Sequence, residues 1–297
     1  MARVVGFISE KGGTGKTTAC YHIAVALQKY HEKRVLVVDA DYQRGGITGR
    51  FFPDWIENFG EAETSGITLF HKFQQLYGAV ERSPKVDIRK WRDGIDVICS
   101  DKNLAQVTHS KLPGTNNIHE NNVSLMCHLQ VIDYVLEPLK QHYDYILIDT
   151  HPETSDLLRS VIFSCDYCVS PVKLDRQSAV GVPTVTGAIK DVNRDVKQVN
   201  DHLEQKSKIK YTNTKFSGSI GMMTREYGGD LKWSESVEFA KLRKTVKYVF
   251  KAYITEGDGL RQAASERKPV YDLPGQNATK QSQQFRKLTK EFCEVCP

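Results

Sequence analysis

Short apolar, β-branched segments alternate along this chain with longer segments in which apolar residues recur at helical spacing. The short segments predict strands at 4–9, 34–40, 95–99, 145–149, 167–172 and 219–223. The longer ones predict helices, of which the clearest cover 18–28, 69–77, 123–139 and 182–203. Fully apolar strands that alternate with helices are typical of an α/β fold, with a mostly parallel twisted sheet covered on both faces. Ligands of such sheets bind at the carboxyl ends of the strands.

Two segments interrupt this alternation, at 52–92 and 107–122. The second reads VTHSKLPGTNNIHENN, which is polar and rich in turn-forming residues. The chain contains no repeat, low-complexity tract or Pro/Ser-rich linker. We therefore expect a single domain across residues 1–297, with the two segments as surface insertions.

The composition indicates an ordinary globular protein, with 40% hydrophobic and 26% charged residues. No apolar run approaches the ~18 residues of a membrane span. The first predicted strand begins at Val4, which leaves no room before it for a signal peptide. We therefore expect a cytoplasmic protein.

Seven cysteines are present, and an odd number fits reduced thiols better than a disulfide framework. Two Cys-x-x-Cys pairs, Cys165/Cys168 and Cys293/Cys296, have the spacing of zinc or iron–sulfur ligands. The first pair flanks the entry to an apolar strand, where a buried thiol acts as a small hydrophobic residue. We favour that structural interpretation and keep a metal site as the alternative.

Positive charge is concentrated at the C-terminal end of the chain. The net charge is +5, and residues 201–297 hold 18 Lys/Arg against 12 Asp/Glu. Such asymmetry favours a polyanionic partner, with a solvated protein surface as the alternative.

The segment KLRKTVKYVFK at 241–251 has five cations and no acid. Taken as one helix, it places four of the cations within an arc of about 100° and apolar residues in the neighbouring arc. One side can pack on the sheet while the other meets phosphates. The predicted nucleic-acid contacts are Arg243, Lys244, Lys247 and Lys251, extended by Arg261, Arg267 and Lys268.

The C-terminal segment 285–295 is amphipathic too, which fits either a closing helix packed on the sheet or a membrane-targeting helix. Glu291 and Glu294 weaken its attraction to anionic lipid. We favour the closing helix and keep membrane binding as the alternative.

The stretch EKGGTGKTT at 10–18 joins the first predicted strand to the first predicted helix. Its glycines allow successive backbone N–H groups to point at an anion, and the helix N-terminus adds partial positive charge. It nearly matches the phosphate-binding pattern G-x-x-x-x-G-K-[ST], in which Lys16 reaches the β- and γ-phosphates and the hydroxyl of Thr17 binds Mg²⁺. Glu10 stands in place of the first glycine, and a second lysine, Lys11, follows it.

Acidic residues end two further predicted strands at the same edge. Asp39 and Asp41 close the strand at 34–40, and Asp149 follows the apolar run YILI. An acid after such a run is the expected partner of the Mg²⁺ water shell.

These motifs together resemble the ParA/MinD group of deviant Walker ATPases. KGGTGKTT matches the group's loop K-G-G-x-G-K-[ST], DADYQ resembles its D-x-D-P-Q motif, and DTHPE resembles its D-x-P-P motif. The later stretches IDVICSDKNLA, CVSPVKLDRQSAVGV and GMMT follow in the same order, so the resemblance covers nearly the whole chain. Tyr42 and His151 depart from the pattern, because each stands where the group has a proline.

The resemblance implies a P-loop ATPase that uses ATP and Mg²⁺ and forms a homodimer around two ATP molecules. Lys11 would reach across to the partner's nucleotide, Lys16 would bind phosphates, and Asp41 would orient the attacking water. Thr17 and Asp149, with Asp41, would serve Mg²⁺. The implied nucleotide-binding set is Lys11, Gly12, Gly13, Thr14, Gly15, Lys16, Thr17, Thr18 and Met223.

The charged C-terminal third favours a ParA-like member of this group over the others. Such a protein binds double-stranded DNA without sequence preference as an ATP dimer, is nucleoid-associated, and positions plasmid, chromosome or other cargo. Its weak hydrolysis is stimulated by a ParB-like or other cargo-adaptor protein. A MinD-like membrane-associated regulator of division-site placement and a metal-cluster carrier are the alternatives.

Overall fold

A computed structural model describes residues 1–57, 66–78, 85–109, 112, 114–174, 176–203 and 208–297. Its strands are β1 (Arg3–Phe7), β2 (Val35–Ala40), β3 (Arg89–Arg92), β4 (Ile95–Ile98), β5 (Tyr145–Thr150), β6 (Tyr167–Lys173) and β7 (Lys215–Met222). A small hairpin follows, formed by β8 (Glu226–Tyr227) and β9 (Asp230–Leu231).

Eleven α-helices lie within the described residues. They are α1 (Lys16–His31), α2 (Ile47–Phe51), α3 (Asp54–Glu57), α4 (Leu69–Leu76), α5 (Leu104–His109), α6 (Ile118–Leu136), α7 (Asp156–Ser164), α8 (Arg176–His202), α9 (Trp233–Thr245), α10 (Asp258–Glu266) and α11 (Gln276–Val295). Short 3₁₀ turns occupy Glu137–Leu139 and Val270–Asp272. No helix of the described part is long and apolar enough to cross a membrane.

The main sheet has the strand order β3-β4-β2-β5-β1-β6-β7. Its pairings are parallel except at the edge, where β3 runs antiparallel to β4. The register aligns Phe7 with Asp149 and Asp39 with Asp149, so β1, β2 and β5 end side by side. The segments that follow these three strands therefore meet at one edge of the sheet.

Alternating strand residues form two apolar layers, because successive side chains point to opposite faces of a sheet. Val5, Val37 and Leu147 belong to one layer, which includes buried residues of α1 and α11. Leu36 and Ile146 belong to the other, which includes buried residues of α6, α7 and α8. The α/β fold with a mostly parallel sheet and helices on both faces is confirmed.

The predicted helix across 241–251 is wrong. Helix α9 ends at Thr245, and Val246 already has an extended backbone. The next residues run beside β7, where Ser219 donates to the carbonyl of Tyr248 and accepts from the N–H of Phe250. Pairing with a sheet edge satisfies backbone groups and buries Val249 and Phe250, so it overrides the helical periodicity.

The predicted insertions at 52–92 and 107–122 fall partly outside the described residues, at 58–65, 79–84, 110, 111 and 113. The end of the first segment is the edge strand β3, which the sequence pattern did not predict. Helix α4, at the predicted position, buries Leu69, Phe70 and Phe73. In the second segment α6 begins at Ile118, where the side chain of Asn117 caps it.

Candidate active site

The loop between β1 and α1 has the backbone of an anion-binding turn. Gly13 and Gly15 have φ angles of +69° and +93°, in the left-handed region that favours glycine. A Cβ on Gly15 would lie 3.1 Å from the side chain of Met222, so a larger residue would crowd that side chain as well as strain the backbone. Helix α1 begins directly afterwards, at Lys16, with its first N–H groups facing the loop.

Lys16 is buried against this loop and donates to Ser9 Oγ at 3.1 Å. The Ser9 hydroxyl also donates to the carbonyl of Lys11 at 2.8 Å and lies 2.9 Å from Thr14 Oγ1. Burial lowers the pKa of Lys16, while the carboxylates of Asp149 and Asp41 oppose that shift. Ser9 thus holds the ammonium beside the loop, a role that the sequence pattern did not reveal.

The Thr17 hydroxyl donates a 2.7 Å hydrogen bond to Oδ2 of Asp149. Asp149 is fully buried, and its Oδ1 has no hydrogen-bond partner. Burial raises the pKa of Asp149 to about 7, although Thr17 and Lys16 oppose the rise. A buried, unpartnered carboxylate oxygen beside a hydroxyl fits Mg²⁺, which prefers oxygen ligands.

The two acids at the end of β2 have different surroundings. Asp39 is fully buried and accepts three hydrogen bonds, from N and Oγ1 of Thr48 at 2.9 and 2.6 Å and from N of Asp41 at 3.0 Å. Burial, followed by the charges of Asp149 and Asp41, raises the pKa of Asp39 to about 8. Asp39 therefore braces the loop before α2 and is not available to a ligand.

Asp41 instead lies at the rim of the site and is 7% exposed. Its Oδ1 accepts from the backbone N–H of Gln43 at 2.9 Å and lies 3.0 Å from Nδ1 of His151. Nε2 of that histidine lies 3.2 Å from the hydroxyl of Tyr42, and the two ring centroids are 4.4 Å apart. The two residues that depart from the sequence pattern therefore contact each other beside Asp41.

The other predicted nucleotide-site residues surround this centre. Lys11 is exposed and makes no ion pair with a described residue. Gly12 is exposed, and Thr18 is half-buried on the first turn of α1. Met223 has φ +52° and directly follows the methionine that packs on Gly15.

The seven predicted DNA-binding cations do not form one helical face. Arg243 and Lys244 are exposed on the last turn of α9, and Arg243 lies over the ring of Phe239 at 4.5 Å. Lys247 and Lys251 are exposed on the extended segment that follows.

The three cations that were expected to extend this patch have different surroundings. Arg261 contacts Glu256 at 3.0 Å and Asp258 at 3.4 Å. Lys268 contacts Glu266 at 3.4 Å. Arg267 is exposed and adopts a left-handed backbone at the end of α10. Two of the three thus carry acidic partners that partly neutralise them.

All seven cysteines are free thiols. Cys165 and Cys168 are buried, and a Cβ placed on Gly6 would lie 3.1 and 3.4 Å from their sulfur atoms. Among the described residues, no group of three or more His, Cys, Asp or Glu side chains is arranged to hold a metal ion.

Comparison with known proteins gives a family match. The family model AAA_31, described as an AAA domain, matches residues 2–205. A ParA family protein of Chlamydia pneumoniae is 27% identical over 194 residues, which make up 64% of this chain and 66% of that protein. The sporulation initiation inhibitor protein Soj of Bacillus subtilis is 27% identical over 197 residues, which make up 65% and 67% of the two chains. The match thus covers slightly less than two thirds of the length of the Chlamydia protein.

Solved structures match over nearly the whole chain. The ATP complex of a McdA variant from Cyanothece has a TM-score of 0.73 at 18% identity and covers 99% of this chain and 96% of that one. A protein of Borrelia burgdorferi B31, described as a plasmid partition protein and bound to AMPPNP, has a TM-score of 0.68 at 20% identity, with 99% of both chains covered. These likenesses confirm the predicted P-loop NTPase fold.

Proposed function

Because the chain belongs to the AAA_31 family of AAA domains, of the ParA/MinD type, we propose that it is an ATPase that dimerises on ATP, binds DNA without sequence preference, and positions plasmid, chromosome or other cargo. The observation that carries this proposal is the convergence of three strand ends on one edge of the sheet. There Lys16 and Thr17 lie beside Asp149 and Asp41, and Lys11 extends into solvent.

The loop and α1 would hold the phosphates of ATP. Backbone N–H groups of the loop and the ammonium of Lys16 supply positive charge, and an incoming phosphate would replace Ser9 as the partner of that ammonium. Thr17 and Asp149 would hold Mg²⁺, which when bound neutralises charge on the transferring phosphoryl group. The unpartnered Oδ1 of Asp149 supports this role.

Asp41 would orient the attacking water. Both of its hydrogen bonds from described residues, from the N–H of Gln43 and from His151, fall on Oδ1. Its Oδ2 has no partner among the residues that the structure describes, and it is available to accept a hydrogen bond from water.

Lys11 would couple ATP binding to dimerisation. An exposed lysine beside a cationic loop repels its copy in a second subunit, and the phosphates of bound ATP remove that repulsion. The lysine then places positive charge where negative charge develops during phosphoryl transfer. We expect slow intrinsic hydrolysis that a ParB-like or other cargo adaptor stimulates.

DNA is the partner that the charge distribution favours, because 18 of the 41 Lys/Arg residues lie at 201–297. On this proposal the dimer is nucleoid-associated in the cytoplasm, and hydrolysis releases it from DNA. The membrane alternative requires the apolar side of α11 to leave the core. That side is occupied: Phe285, Leu288 and Phe292 are fully buried in the layer shared with α1.

A gel shift with random-sequence duplex DNA tests the proposal, with ATP, ADP or no nucleotide. Lys11→Ala is compared with wild type and with Lys33→Ala, which removes an exposed lysine just past the far end of α1. We expect an ATP-dependent shift that Lys11→Ala abolishes, that Lys33→Ala retains, and that weakens steeply with salt. A protein that gives no shift under any nucleotide does not bind DNA in this way, and liposome sedimentation would then test the membrane alternative.

A further inference from the structure

Tyr42 and His151 lie 109 residues apart in sequence and meet at the rim of the candidate active site. Tyr42 follows the acid at the end of β2, and His151 follows β5. His151 is only 5% exposed, so contacts with neighbouring residues determine the orientation of its ring. It contacts Asp41 with one ring nitrogen and Tyr42 with the other.

The partners of His151 determine which nitrogen carries the proton. An ionised carboxylate only accepts hydrogen bonds, so Nδ1 donates to Asp41 Oδ1 across 3.0 Å. In the neutral ring Nε2 is then the acceptor, and the hydroxyl of Tyr42, 3.2 Å away, donates to it. Glu153 Oε1 lies farther from Nε2, at 3.5 Å, on a half-exposed side chain.

The two hydrogen bonds on Oδ1 of Asp41 come from different parts of the chain. The Gln43 N–H belongs to the same loop as Asp41, whereas His151 belongs to the segment after β5. Together they fix the rotation of the carboxylate and leave Oδ2 for a further donor. A catalytic group is most effective when partners behind it hold it within a narrow range of orientations.

We propose that His151 is a positioning residue for ATP hydrolysis, which holds Asp41 in the orientation that activates water, and that Tyr42 holds the histidine in the required tautomer. This inference rests on the proposed ATPase function. It assigns a role to the two residues that depart from the family pattern, and it does not require His151 to contact ATP.

The test is steady-state ATP hydrolysis by the full chain with DNA present. His151→Ala removes the donor, and His151→Asn keeps an N–H donor near the position of Nδ1. Tyr42→Phe keeps the ring contact but loses the hydroxyl. His109→Ala is the matched control, because its ring also packs on Tyr42, with centroids 5.3 Å apart, yet it makes no hydrogen bond to Asp41.

We expect His151→Ala to lower kcat about tenfold and to leave the KM for ATP within about twofold, because a hydrogen bond to a charged group is lost. His151→Asn should recover most of the rate, Tyr42→Phe should lose about threefold, and His109→Ala should match wild type. Wild-type kcat in His151→Ala overturns the inference. So does a raised KM with unchanged kcat, or a His151→Asn variant as slow as His151→Ala.

Asp41→Ala separates this inference from the proposed function. If wild type hydrolyses ATP faster than Asp41→Ala while His151→Ala equals wild type, only the positioning role fails. If an active wild type hydrolyses ATP no faster than Asp41→Ala, the role of Asp41 and the positioning inference fail together, and the ATPase proposal stands. If wild type releases no phosphate above a protein-free blank, the proposed function fails, and the inference fails with it.

Discussion

The Thr17 hydroxyl and Oδ2 of Asp149 are joined by a 2.7 Å hydrogen bond that links the first turn of α1 to the end of β5. The other oxygen of Asp149 is buried without a partner. A carboxylate in this position is unfavourable while no cation is bound, because burial removes its hydration. On the proposed function, a bound Mg²⁺ would offset this cost at Asp149.

Asp149→Asn should stabilise the nucleotide-free protein at pH 8. Burial raises the pKa of Asp149 from 3.8 to about 7, so between these pH values the folded protein retains a proton that the unfolded chain has lost. Stability therefore falls as the pH rises through this window. The neutral amide of asparagine avoids this loss of stability. At roughly 1.4 kcal/mol per pKa unit, we expect the variant to gain a few kcal/mol in the free energy of unfolding at pH 8. Thermal unfolding at pH 5 and pH 8 measures it, with the smaller gain expected at pH 5.

Asp149→Asn should also lose the stabilisation that Mg²⁺ and ATP give to wild type. A ligand that binds only the folded state raises Tm by an amount that grows with the logarithm of its concentration relative to Kd. The Tm with and without about 1 mM Mg²⁺–ATP therefore reports binding. We expect a clear rise in wild type and little in the variant. An equal rise in both proteins would show that Asp149 does not serve the metal.

Gly15→Ala should abolish ATP binding. The φ of +93° is costly for alanine, and the new Cβ would lie 3.1 Å from the side chain of Met222. Both effects would displace the loop whose N–H groups we propose to bind the phosphates of ATP. Titration with a fluorescent ATP analogue measures the loss, which we expect to exceed a hundredfold in Kd.

Gly229→Ala is the control for the backbone cost alone. Gly229 has a φ of +94° in the turn between β8 and β9, and a Cβ there would meet no atom within 4 Å. We expect a loss of about 1 kcal/mol in the free energy of unfolding and wild-type affinity for the ATP analogue. Weaker nucleotide binding by this variant would mean that general destabilisation explains the result at Gly15.

The elements that position the nucleotide site were predictable because their signals are local. The apolar runs place β1, β2 and β5 within one or two residues of their observed bounds, and EKGGTGKTT predicts the loop between β1 and α1. Parallel pairing then requires the acids at the ends of β2 and β5 to meet near Lys16.

The contacts that complete the site were not predictable, because they join residues that are distant in sequence or depend on side-chain rotamers. Neither the contact of Ser9 with Lys16 nor that of His151 with Asp41 has a periodic or motif signature. The edge strand β3 and the extended segment after Thr245 were missed for a related reason. Each forms by pairing with a neighbouring strand, and the local pattern of the segment itself does not reveal that long-range contact.

Phe292→Ala should lower the free energy of unfolding by about 3–5 kcal/mol. The ring is fully buried in α11, with its centroid 6.1 Å from that of Phe7 and 5.9 Å from that of Tyr145. Urea denaturation measures the loss, and Lys287→Ala, on the exposed side of the same helix, should change stability little. If α11 were a membrane-targeting helix, Phe292→Ala would instead weaken liposome sedimentation and leave stability nearly unchanged.

Charge reversal at Lys244 and Lys247 should weaken DNA binding more than reversal at Arg261. The two lysines are exposed and make no ion pair with a described residue, whereas Arg261 contacts Glu256 and Asp258. A cation that is already paired contributes less to phosphate contacts, since its acidic neighbours repel the DNA backbone. In the gel shift with ATP, we expect the double variant Lys244→Glu/Lys247→Glu to lower the affinity for DNA at least tenfold. The magnitude of the slope of log affinity against log salt concentration should fall by about two, because two phosphate contacts are lost. Arg261→Glu should lower affinity by no more than about threefold, and an equal or larger loss there would place the DNA contact on α10.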